Sequence, residues 1–214
     1  MDLGELREQY TGRGLDRGDL AADPFDQFET WFEEVRASGY WEPNAMVVST
    51  VDEDGWPEGR NVLLKQFDQR GFVFYTNYRS AKGRAIDHVG RAGLTFSWIE
   101  LRRQVRVVGE AQRLDDDVSA AYFASRPRGS QLGAWSSDQS APVTDRATLD
   151  EQFAAVEARY EGVEVPRPPH WGGICVQPLS IEFWQGRHNR MHDRFVYRRA
   201  DSASSQWSIE RLAP

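Results

Sequence analysis

The stretch AMVVSTVDEDGWPEGRNVLLKQFDQRGFVFYTN, residues 45–77, reads as three short β-branched or aromatic runs broken by turn signals at Asp54-Gly55 and Arg70-Gly71. Apolar runs of this length separated by such dipeptides mark antiparallel hairpins. The same pattern continues in AGLTFSW (92–98) and QVRVVGEA (104–111). It returns in GICVQPLSIEFW (173–184), RFVYRR (194–199) and QWSIERL (206–212). Most connections are too short for parallel crossovers, apart from a helix from Ser80 to about Val89. The expected fold is mainly β with peripheral helices (α+β), an antiparallel, Greek-key-like barrel. No dinucleotide-type glycine motif opposes that reading.

Outward from the strands, Asp23 and Pro24 form an N-cap and a first-turn proline. Phe25, Phe28, Trp31, Phe32 and Val35 then recur at helical spacing up to Gly39. A further helix is expected over Asp115–Ser125, ending before Pro127, and an amphipathic one over Thr148–Tyr160, before the bend VPRPP. Residues 1–20 are polar and carry Gly12, Gly14 and Gly18, so they read as a mobile arm with a helical turn around Leu3 to Tyr10. Residues 21–214 then make one domain.

The chain has 214 residues, 40% of them hydrophobic, enough for one sizeable core. Its net charge of -7 argues against bulk attraction to nucleic acid or anionic membrane, so any anion site must be local. The single cysteine, Cys175, sits in an apolar run, which favours a reducing compartment. No apolar run is long enough to span a bilayer, and the polar, acidic N-terminus is unlike a secretory signal, so a cytoplasmic protein is expected.

Against this acidic background three features carry cations. Arg60 and Lys65 lie in the apolar run RNVLLK; their odd spacing puts them on opposite faces of a regular strand, so either the strand bends or they serve different sites. Tyr122 and Arg126, four apart, share a helix face, and Ser130 is placed to cap a following helix. Tyr122, Arg126, Ser130 and Lys65 together would clamp a phosphate, combining charge with directed hydrogen bonds. The third feature is IEFWQGRHNRMHDR (181–194), with Trp184, Arg187, Arg190, Arg194, His188 and His192. Neighbouring arginines disfavour a metal on the two histidines, and no metal is expected.

That last run resembles the C-terminal signature of the pyridoxamine 5′-phosphate oxidases. The resemblance extends in order through LREQYTGRGL, DPFDQF, RNVLLK, FYTN, RRQVRV, SRPRGSQLGAW and the terminal IERLAP. It implies an FMN-binding split barrel acting as a homodimer, with FMN at the interface, that oxidises a phosphorylated B6 vitamer.

Carried over by residue, Arg60, Asn61, Val62, Leu63, Leu64 and Lys65 resemble the strand beside the flavin, with Arg60 directed at its phosphate. Tyr75, Thr76, Ala81 and Lys82 resemble its phosphate and ribityl contacts. Gln104, Trp184 and Arg194 resemble contacts near the ring system, and Gln139 and Ser140 the contribution of a partner subunit. Lys65, Tyr122, Arg126 and Ser130 resemble the substrate phosphate clamp. Arg190, Met191 and His192 resemble the segment that holds the pyridine ring, with Arg190 and His192 in the catalytic roles. Arg7 and Tyr10 resemble arm residues that fold over substrate, which makes the arm a lid. Ala81 departs from the family, which often has a second basic residue there; Arg79 is the nearby cation.

Overall fold

The structure, a computed structural model, describes Leu3, Tyr10 and residues 12–214. Arg7 and most of the expected turn around Leu3 to Tyr10 lie outside the described residues.

Among the described residues nine strands form one antiparallel sheet: β1 Ala45–Val51, β2 Pro57–Leu63, β3 Gln66–Asp68, β4 Gly71–Asn77, β5 Arg91–Trp98, β6 Arg103–Arg113, β7 Trp171–Gln185, β8 Asp193–Arg198 and β9 Ser208–Leu212. The order is β2-β1-β5-β6-β7-β4-β3, with β8 added to β7 and β9 to β8. The sheet forks at β7. Trp171 to Val176 pair with β4, Ser180 to Gln185 pair with β8, and β6 runs along both segments. Pro178 sits at the fork, opposite Gly109, where the β6 register shifts. A proline donates no backbone hydrogen bond, so it is tolerated where the ladder is already broken. The fork makes this a split barrel, with one edge of β7 paired to β6 and the other to β4 and then to β8.

Among the described residues five α-helices surround the sheet: α1 Pro24–Ala37, α2 Ala81–Val89, α3 Asp116–Ser125, α4 Arg128–Ser136 and α5 Arg146–Arg159. Helix α1 starts as read, with Asp23 accepting from the Phe25 amide at 2.7 Å. It drives Phe28, fully buried, into a cluster of rings from Phe32, Phe67, Phe72, Phe96 and Trp98. Truncating such a residue costs about 3–5 kcal/mol. A second, smaller core of Phe123, Leu132, Tyr160, Val165 and Trp171 lies under α3 to α5.

Four expectations are corrected. RNVLLK is not one strand: β2 ends at Leu63 and β3 begins at Gln66, so the chain breaks at Leu64-Lys65, and the opposed parity of Arg60 and Lys65 disappears. Ser130 caps nothing, because Pro127 is the N-cap of α4 and Ser130 lies within that helix. Helix α5 is not amphipathic: none of its residues is buried, and only Phe153 and Val156 lean on the smaller core. Finally, residues 12–20 do not hang free. Leu15 is buried in the main core, and Arg17–Asp19 form a 3-10 turn.

Candidate active site

A cleft of about 770 Å³ opens between the β2–β4 end of the sheet and helices α3 and α4. It brings together eleven of the expected residues: Asn61, Val62, Leu63, Lys65, Tyr75, Thr76, Lys82, Tyr122, Arg126, Ser130 and Gln139. The chain break after β2 is what turns Lys65 toward the helices. Leu64, one residue earlier, is buried in the core and does not line the cleft.

One wall is aromatic. Tyr75 and Tyr122 stack with ring centres 3.7 Å apart, and Trp171 lies nearly parallel to Tyr122. The Arg126 guanidinium sits 4.5 Å above the Trp171 ring, and its Nη1 is buried with no hydrogen-bond partner among the described residues. Burial lowers the Arg126 pKa, and the Tyr122 hydroxyl beside it opposes that shift. Burial raises both tyrosine pKa values, so their hydroxyls remain protonated donors. A buried guanidinium edge with an unused donor, flanked by hydroxyls, calls for an anion.

The opposite wall is built around Lys82 in the first turn of α2. Its Nζ is buried, 3.3 Å from Thr76 Oγ1 and 3.5 Å from Ser80 Oγ, and these are hydroxyls rather than carboxylates. Burial, then the Arg60 charge, depresses the Lys82 pKa. Arg60 stays outside the cleft, donating to Thr50 Oγ1 and paired with Glu58. Ser80 caps α2 by accepting from the Gly83 amide. A nine-residue helix start, a buried ammonium and nearby hydroxyls form a donor set that suits a phosphate ester, so this wall fits the phosphate end of FMN. Ala81 presents only its backbone amide, held by Ser140 Oγ at 3.2 Å, and exposed Arg79 does not line the cleft.

Gln139 and Ser140 correct an expectation. They meet Thr76 and Ala81 of their own chain, with Gln139 Oε1 3.4 Å from Thr76 Oγ1, so the cleft has them without a partner subunit.

The remaining expected residues assemble elsewhere. Gln104, Trp184 and Arg194 lie side by side across β6, β7 and β8, because Trp184 pairs with Gln104 on one side and Arg194 on the other. His192 packs 4.6 Å from Trp184, and Tyr10 stands edge-on to Trp184 and 5.9 Å from His192. Arg190 and Met191 are exposed on the loop just before β8; Arg190 and Asn189 both have positive φ. Glu182, buried, accepts from Arg194 Nε at 2.8 Å and raises its pKa. The imidazole Nδ1 of His192 accepts from the Arg187 amide at 3.1 Å.

These two groups lie toward opposite ends of β7, which runs from Trp171 at the cleft to Trp184 and Gln185 at the signature loop. At about 3.3 Å per residue the two tryptophans are roughly 40 Å apart along the strand. The fold thus gathers the expected site into two half-sites and does not join them within one chain. Trp171 belongs to the first half although nothing in the sequence marked it, since a tryptophan opening an apolar strand reads as core.

Residues 32–162 match the family model described as pyridoxamine 5′-phosphate oxidase. Residues 171–214 match the one described as the pyridoxine 5′-phosphate oxidase C-terminal dimerisation region. The chain is 52% identical over 212 residues to a pyridoxine/pyridoxamine 5′-phosphate oxidase of Burkholderia lata, covering 99% of each. It is 54% identical over 213 residues to the protein of that name from Rubrobacter xylanophilus, covering 100% of this chain and 97% of that one. Among solved structures it is similar to PhzG from Burkholderia lata in complex with tetrahydrophenazine-1-carboxylic acid. There the TM-score is 0.84 at 28% identity, over 92% of this chain and 95% of that one.

Proposed function

This chain belongs to the pyridoxamine 5′-phosphate oxidase family, and from that premise we propose that it oxidises pyridoxine 5′-phosphate or pyridoxamine 5′-phosphate to pyridoxal 5′-phosphate, with FMN as cofactor, as a cytoplasmic homodimer. The supporting observation is the cleft's pairing of two anion sites. One has the unpartnered Arg126 Nη1 beside Tyr122, and the other has the buried Lys82. A reaction that brings a phosphorylated flavin to a phosphorylated substrate needs both.

The alcohol substrate and dioxygen give the aldehyde and hydrogen peroxide; the amine also takes up water and releases ammonia. FMN supplies two-electron acceptance from the C4′ carbon and return of those electrons to dioxygen. The chain supplies the rest. Lys82 and Thr76 hold the flavin phosphate, and Asn61 to Leu63 and Gln139 border the flavin. Lys65, Tyr122, Arg126 and Ser130 hold the substrate phosphate, using binding energy remote from the reacting carbon to orient it. From the second half-site, Arg190 and His192 orient the pyridine ring, Trp184 and Gln104 bound the flavin, and Arg194 places positive charge near it. The two half-sites meet when the first of one subunit faces the second of its partner. Tyr10, with the arm that also carries Arg7, covers the bound ring.

Purified protein should be yellow, release FMN on denaturation and consume oxygen when given pyridoxine 5′-phosphate. Bound FMN without oxygen consumption overturns the oxidase reading. The likeness to PhzG favours one alternative, oxidation of a partly reduced aromatic carboxylate. Oxygen uptake with tetrahydrophenazine-1-carboxylic acid but not with the B6 phosphates would decide for it.

A further inference from the structure

Between His192 and Arg194 of the signature stands Asp193, to which the proposed reaction gives no task. Its carboxylate is 13% exposed and shared between the two ends of the chain. Oδ2 accepts from the Leu15 amide at 3.0 Å, and Oδ1 from Arg211 Nη1 at 2.7 Å. Arg211, on β9, also donates to Asp16 Oδ1 at 2.8 Å and to the Leu15 carbonyl at 3.4 Å, with its guanidinium 4.4 Å over the Phe195 ring. One acid from β8 and one base from β9 therefore grip the Leu15-Asp16 segment, while the buried Leu15 side chain keeps it from sliding.

Two glycines show how closely the segment upstream is fitted. A Cβ on Gly14 would lie 2.0 Å from Arg187 Nη1 and 2.5 Å from Asp193 Oδ2. A Cβ on Gly186 would lie 2.6 Å from Tyr10 Cδ2. Leu15 lies five residues after Tyr10, a reach of at most about 17 Å, so an anchor at Leu15 keeps Tyr10 within that distance of it.

We propose that Asp193 is a positioning residue: with Arg211 it clasps the Leu15-Asp16 segment and so seats Tyr10 against Trp184 and His192, pre-forming the wall that closes over the substrate ring. The assignment of that half-site to the substrate rests on the proposed function; the clasp itself does not. Pre-ordering the segment removes an entropy cost from substrate binding, so its loss registers in KM before kcat.

Asp193→Asn keeps the size but removes the charge and one of the two acceptor oxygens. Amide hydrogen exchange over residues 12–16 in the flavin-loaded protein should quicken by about tenfold or more as the segment opens locally. KM for pyridoxine 5′-phosphate should rise several-fold with kcat little changed. Gly14→Ala, whose added methyl pushes the segment off Asp193 Oδ2 and the Arg187 guanidinium while keeping both residues' chemistry, should do the same in milder form and serves if the first variant does not fold. Unchanged exchange in both variants overturns the clasp. Faster exchange with unchanged KM overturns the positioning role. Because exchange is read without substrate, failure of the clasp and failure of the oxidase reading are told apart.

Discussion

Trp171 and Trp184 stand near opposite ends of one strand, β7, and each belongs to a different half of the site. In the proposed homodimer an isologous contact joins the halves by presenting the first half of each subunit to the second half of the other. Arg126→Ala breaks the first half and Arg190→Ala the second. When the two impaired variants are unfolded, mixed and refolded together and assayed at substrate well below KM, half the dimers are mixed, and each mixed dimer holds one intact site. Recovery of about one quarter of wild-type activity is the expected result. Activity no greater than the sum of the parents would mean that each chain completes its own site.

Arg126 spreads its guanidinium over Trp171 and leaves Nη1 buried without a partner among the described residues. A charged donor kept in this state loses little when removed from the free enzyme and much when a bound phosphate loses it. Arg126→Ala should therefore raise the substrate KM on the order of tenfold or more, with a smaller effect on kcat. Arg126→Lys should restore only part of the loss, since an ammonium lacks the planar fork that both stacks on the indole and reaches the anion. An unchanged KM in the alanine variant removes Arg126 from the clamp.

The strands were legible because they are short β-branched or aromatic runs, alternating in AMVVSTV and buried nearly throughout in GFVFYTN, with glycine at their turns, and α1 because its cap and apolar spacing agree. Less local features were hidden. The break at Leu64-Lys65 depends on Leu64 finding the core, a tertiary demand that overrides the continuous apolar pattern. The spacing of Tyr122 and Arg126 pointed to a shared face, and both do line the cleft. Arg126 nevertheless lies just past the end of α3 in extended backbone, aimed by Trp171 from far along the chain. Gln139 reaches β4 and Ser140 reaches α2 of their own chain because the loop after α4 folds back, which no short motif encodes. The division into half-sites follows from the fork in β7, which is visible only when the pairing of all three neighbours is known.

Lys82 is buried with hydroxyls for neighbours, and its pKa is depressed by that burial and then by Arg60. In the flavin-free protein the charged form is therefore unfavourable: the unfolded chain holds this proton more tightly than the folded one, and stability rises with pH toward 10.5. A bound phosphate reverses the sign by supplying the missing counter-charge. Lys82→Met should raise the Tm of the flavin-free protein while weakening FMN on the order of tenfold or more, the loss expected for a buried charged hydrogen bond. Calorimetry and flavin titration measure the two effects separately. Weakened FMN with a lowered Tm would mean that Lys82 is an ordinary structural residue.

His192 titrates under three influences: burial and then Arg190 lower its pKa from 6.5, and Asp193 pulls it back up. The neutral ring is the form that fits, since Nδ1 accepts the Arg187 amide and protonation there would set two donors against each other. With the folded value below 6.5, this group's contribution to stability is complete above that pH and is lost as pH falls through the folded pKa. The ratio kcat/KM should accordingly be flat on the neutral side of 6.5 and fall on the acid side. Two substitutions should move the imidazole in opposite directions, read by NMR from the ring protons. Arg190→Ala removes a repelling charge and shifts the titration to higher pH, whereas Asp193→Asn removes an attracting one and shifts it lower. Shifts in the reverse order would show that loop rearrangement, not these two charges, sets the protonation of His192.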